Sequence, residues 1–124
     1  MNDDENHEDN PLLSPLLELS TESWRFTKVF TRLLKKLDAG EDARYINQQR
    51  YFLKKVEDSL SLAGLQLINL EGSEYDIGMA VSAINIDDFE SDQKLIIEQM
   101  LEPIVMSDSG IVREGTVVLK KDEG

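Results

Sequence analysis

The sequence predicts an α+β protein in which an N-terminal helical hairpin precedes a small antiparallel β-domain. Three observations predict it. Between residues 21 and 63, apolar side chains recur at spacings of three and four, the period of an amphipathic helix. From residue 65 to residue 121, short runs rich in alternating and β-branched residues are separated by Gly, Ser, Asp and Pro clusters, the pattern of strands and turns. Gly40 and Gly64 stand where the two helical stretches end, as C-terminal caps. The chain therefore divides into a tail over residues 1–19, a helical hairpin over 20–64 and a β-domain over 65–121.

The tail opens with MNDDENHEDN, almost wholly acidic or amide-bearing, which cannot bury enough surface to offset its ordering entropy and is expected to be disordered. His7 stands there among carboxylates with no second ligand cluster behind it, so it reads as solvated rather than metal-binding. In PLLSPLLELS, Pro11 and Pro15 are expected to forbid a continuous long helix. Leu12, Leu13, Leu16, Leu17 and Leu19 are costly to leave wet and should dock, on the protein's own helices or as a short motif for a partner.

Ser20 is the expected N-cap of the first helix, with Glu22 in the first turn, where the helix dipole favours negative charge. The helix should run from residue 21 to about 38 with Phe26, Phe30, Leu33 and Leu37 on one stripe, flanked by Val29 and Leu34. Trp24 near its start reads as a packing anchor. Its other face carries Arg25, Lys28, Arg32, Lys35 and Lys36, a basic ridge unexpected in so acidic a chain. Asp42 can cap a second helix over 43–63, striped with Ile46, Leu53, Val56, Leu60 and Ala63. The short connection implies an antiparallel hairpin. Two helices alone bury little, so they must pack on the β-part, on the Leu-rich segment, or against a second copy in a four-helix bundle.

Strands are expected at 65–70, 79–84, 95–101, 104–106, 111–113 and 116–119. Residues 71–74 form a turn, Tyr75 to Gly78 a tight exposed corner, and Ser107 to Gly110 a hairpin turn. The acidic stretch IDDFESDQ lacks the glycine and terminal glutamate of a calcium loop. Lys120 and Lys121 discourage edge-to-edge pairing.

Composition narrows the function. With a net charge of −12 and a pI near 4.4, the chain lacks the basic footprint that nucleic acid or an anionic membrane requires. In 124 residues, 40% of them apolar, a modest core is possible, with partner burial helping. There is no cysteine, no apolar run near the roughly 18 residues of a membrane span, and no basic-then-apolar leader, so a soluble cytoplasmic protein is expected. The single histidine lies in the tail, and no phosphate loop, dinucleotide fingerprint or zinc spacing occurs. Neither an enzyme nor a cofactor is expected; the β-domain reads as a surface that grips another protein.

The C-terminal half resembles the GrpE family of Hsp70 nucleotide exchange factors. The residues that carry the likeness are Gly64-Leu65 after the second helix, Gly72 in the turn, Tyr75-Asp76-Ile77 at the corner and Ala80-Val81. They continue through Ile96-Ile97-Glu98-Gln99-Met100-Leu101 and the ending Ile111-Val112-Arg113-Glu114-Gly115-Thr116-Val117-Val118-Leu119. The chain departs from the family pattern at Ile77, where a proline is usual, at Pro103-Ile104, and in the family's long N-terminal coiled coil, here matched only by some twenty acidic and Leu/Pro-rich residues. The resemblance implies a β-wing that binds an Hsp70-like ATPase and promotes ADP release, with Tyr75, Ile77, Met100, Leu119 and Arg113 as contacts and Arg32 and Lys36 as a secondary surface. It also implies a homodimer, through Phe30, Leu33 and Leu37 with Leu53, Val56 and Leu60. Two other readings share these features: a non-catalytic adaptor of the same fold in a larger complex, and a small acidic chaperone of an exported protein.

Overall fold

The protein is α+β. Its computed structural model describes residues 11–37 and 42–123, and the chain forms two compact units, Met1–Gln66 and Leu67–Gly124. The acidic tail with His7, and the Gly40 cap, lie outside the described residues.

The first unit holds helix α1 (Leu13–Leu34) and helix α2 (Asp42–Leu62). Helix α1 starts eight residues before the expected position, because the two prolines mark its beginning rather than block it. Leu12 is the N-cap, so Pro15 falls in the first turn, where a backbone N–H has no intrahelical acceptor to lose; the first bond runs from Leu16 N–H to Leu12 O at 3.0 Å. Ser20 is consequently a buried mid-helix residue, not a cap, and its Oγ donates to Leu16 O at 2.7 Å. Gln49 of α2 donates from Nε2 to Thr27 O and Thr31 Oγ1, both at 2.9 Å, and ties the antiparallel hairpin together. Leu17, Leu34 and Leu60 are buried with Ser20, Thr21 and Thr27. Past α2, Gly64 takes φ +77°, and its N–H reaches Ser61 O at 3.0 Å, so the expected glycine stop is present.

The strands are β1 (Leu65–Ile68), β2 (Val81–Ala83), β3 (Leu95–Glu102), β4 (Ile104–Ser107), β5 (Gly110–Arg113) and β6 (Gly115–Lys121), with a 3-10 turn at Ile86–Asp88. They form two three-stranded sheets, ordered β1-β4-β5 and β2-β6-β3. The arrangement is mixed, not wholly antiparallel as expected: the long β2–β3 connection leaves these two strands on opposite sides of β6, where β3 pairs antiparallel and β2 parallel to it.

The organising element of the second unit is one long bent hairpin. β3 pairs with β6, and β4 continues β3 to pair with β5, in near-continuous register from Leu95↔Lys121 to Ser107↔Gly110. The bend falls where Pro103 contributes no N–H and where β5 gives way to β6 at Glu114. There Gly115 is crowded: a Cβ would stand 2.7 Å from Met100 Cε, 3.0 Å from Glu102 O and 3.1 Å from Ile104 Cγ1. At the hairpin tip neither Asp108 nor Ser109 has positive φ; Gly110 supplies it at +126°. Inside lie Leu95, Ile97, Met100, Pro103, Ile104, Val105, Val117 and Leu119.

Candidate partner-binding site

The corner expected to be exposed is exposed, and it is rigidly held. Residues 70–75 run along the outer edge of β3 as an improvised strand. Gly72 N–H donates to Ile97 O at 2.8 Å, Ile97 N–H to Ser73 O at 2.9 Å, and Tyr75 N–H to Leu95 O at 2.8 Å. Where β3 bulges, side chains finish the edge: Glu71 Oε2 accepts the Met100 N–H at 2.7 Å, and Met100 Sδ accepts the Leu70 N–H at 3.0 Å. The chain then turns over Asp76–Met79, closed by Met79 N–H to Asp76 O at 2.9 Å and by Gly78 N–H to Asp76 Oδ1 at 3.3 Å. Ile77 occupies the first central position of that turn and is 90% exposed. A large aliphatic residue so bare, on a turn with two internal hydrogen bonds, is a preorganised apolar contact: its burial by a partner is worth about 1.5–3 kcal/mol and needs little further ordering of the turn.

The other expected contacts separate by burial. Tyr75 is half-buried just before the turn. Met100 is completely buried and Leu119 only 2% exposed, facing Ile97 across β3/β6, so both are core residues and no partner can touch them. Alternation along an eight-residue strand could not say which face pointed inward; the bulges in β3, which shift its register against β6, decided it. Arg113 is half-buried on β5 opposite Val105. Arg32 and Lys36 are exposed at and after the last turn of α1, in the other unit. Elsewhere on the basic ridge, Arg25 pairs with Glu22 at 2.5 Å, and the Lys28 ammonium lies 5.1 Å above the Trp24 ring.

Of the expected dimer contacts, Leu60 is buried within the chain, while Phe30, Leu37, Leu53 and Val56 are half-buried and Leu33 is exposed. Phe30 already packs edge-on to Phe26, ring centroids 6.1 Å apart, and tilts against Tyr45 at 6.5 Å. Sequence reasoning missed three exposed aliphatics of the β-unit, Ile84, Ile86 and Ile111. The signal for Ile84 lay in the brevity of β2. That strand ends at Ala83, and the Asn85 side chain takes its place against β6, donating to Leu119 O and accepting from Leu119 N–H, both at 2.9 Å.

Among the described residues no group of three or more His, Cys, Asp or Glu side chains could hold a metal ion, and no helix is long and apolar enough to cross a membrane. The geometry offers docking by shape and apolar burial. No protein-family model, no curated protein and no solved structure matches the chain.

Proposed function

We propose that the chain is a GrpE-like cytoplasmic co-chaperone that binds an Hsp70-like ATPase through its β-unit and promotes ADP release. The observation that carries the reading is Ile77, bare on a hydrogen-bonded turn at the position where the resemblance puts the wing's contact corner. Tyr75 beside it supplies an amphipathic ring, and the order of helices followed by β-unit agrees with the family pattern. The chemistry asked of the protein is modest. A factor that binds the open nucleotide cleft more tightly than the closed one lowers ADP affinity by that ratio, and ADP lowers affinity for the factor equally. No bond in the nucleotide changes.

Stopped-flow release of fluorescent ADP from an Hsp70-like ATPase of the same organism tests this. The chain should accelerate release at least tenfold, and Ile77→Asp should remove most of the acceleration while leaving the circular dichroism spectrum unchanged. Tight binding with release at the intrinsic rate would replace exchange by the adaptor reading. Full activity of the Ile77→Asp variant would remove the corner from the interface.

A further inference from the structure

The two outer edges of the β2-β6-β3 sheet are finished differently. On the β3 side, residues 70–75 lie along the edge and the Glu71 carboxylate accepts the Met100 N–H. On the β2 side no segment among the described residues does the same. Gly115 N–H donates to Ala80 O at 3.0 Å and Ile84 N–H to Val117 O at 3.1 Å, with Ser82 opposite Thr116 between them. The even-numbered residues thus face β6. Successive strand residues present their N–H and C=O to opposite sides, so Val81 and Ala83 turn two N–H and two C=O groups outward. Among the described residues no hydrogen bond reaches those groups.

An edge strand left open is ordinarily blunted by lysine, proline or a bulge. From Met79 to Ile86 the chain reads MAVSAINI, without a charge or a proline, and its ladder with β6 has no bulge. Ile84, 64% exposed, shares the outer face with Ser82, and Ile86 follows at 41%. An uncharged open edge with bare aliphatics beside it is a template for one more strand.

Charge decides what that strand is. Glu74 and Asp76 stand before the MAVSAINI run, Asp87, Asp88 and Glu90 stand after it, and residues 74–93 contain no Lys or Arg. A second copy of β2 would bring acidic flanks against acidic flanks in either orientation. A segment with lysine or arginine on both sides of an apolar, alternating core meets opposite charge at both ends. We propose that the outer edge of β2 takes up a basic, extended segment of another protein as a fourth strand. The backbone of Val81 and Ala83 holds it, and the Ile84 side chain packs against it. This edge is separate from the Ile77 corner and does not rest on the exchange-factor reading.

The probe is a synthetic peptide of alternating valine and threonine between paired lysines, with a glutamate-flanked counterpart as control. Amide hydrogen exchange on the unaltered chain reads the edge directly. Val81 and Ala83 should exchange at least tenfold more slowly with saturating lysine peptide, while Ser82 and Ile84, already bonded to β6, should change little. Ala83→Pro removes one outward N–H and leaves the bonds to β6 in place. It should weaken peptide binding, read by fluorescence anisotropy, at least tenfold with an unchanged circular dichroism spectrum. Asp87→Asn with Asp88→Asn should weaken it at least threefold. Equal binding of the glutamate peptide overturns the proposal, as does slowing without the odd–even pattern or undiminished binding to Ala83→Pro. A doubled chain mass with the Val81 and Ala83 amides already protected also overturns it, since a second copy then holds the edge. Ile77→Asp should bind the lysine peptide as tightly as the unaltered chain, so failure of the corner and failure of the edge are read separately.

Discussion

Gly115 and Gly78 look alike in the sequence, each a glycine beside a turn, yet the structure gives them opposite tolerances. A methyl group at Gly115 would collide with Met100 and with the Glu102 carbonyl at the bend of the long hairpin. Gly115→Ala should therefore cost about 1–3 kcal/mol through overpacking, read as a lower urea midpoint. At Gly78 the nearest atom to such a methyl is Asp76 Oδ2 at 3.6 Å, and φ is not positive. Gly78→Ala should be neutral or gain up to about 1 kcal/mol by restricting the unfolded chain. Asn85 is a third residue whose importance the sequence hides. It imitates a strand neighbour for Leu119, so Asn85→Ala should leave that residue's N–H and C=O unpaired at the edge of the core. The cost should be about 1–3 kcal/mol, with faster hydrogen exchange at Leu119.

At the scale of elements, what could be read from the sequence was period and punctuation. Gly64 ended its helix, Ser107 to Gly110 made its hairpin, and the last three strands fell within a residue or two of their expected places, because each depends on local stereochemistry. The beginning of α1 was not legible, because proline breaks a helix interior but is tolerated in a first turn, and Pro15 falls in the first turn. The parallel β2/β6 pair and the inward face of β3 were not legible, because they follow from long-range pairing and bulges. Ile77 was legible as part of a tight corner; that Met100 and Leu119 were core was not. Ser20 separates the two accounts of α1. As an N-cap, its replacement by alanine would cost about 1 kcal/mol. As a mid-helix residue bonded to Leu16 O, Ser20→Ala trades one local hydrogen bond for better helix propensity and should change stability by less than about 0.5 kcal/mol in thermal unfolding.

For the whole molecule, acidity and exposed apolar surface have to be considered together. A net charge of −12 keeps chains apart in general, yet α1 sets four large apolar side chains in water on the one helix whose second half is basic. If the chain forms the homodimer that the resemblance implies, long-range repulsion favours a single geometry of self-association over nonspecific clustering. Mass action then couples that geometry to stability, because a species that dimerises only when folded is stabilised by its own concentration. Raising the chain from about 1 to 100 μM adds at most about 2.7 kcal/mol per mole of dimer, an RT ln term for a hundredfold change. The melting temperature should therefore climb by several degrees over that range. Phe26→Glu should flatten the dependence. Added salt should strengthen association by screening the net charge. A melting temperature indifferent to concentration would mean that the stripe on α1 meets something other than its own copy.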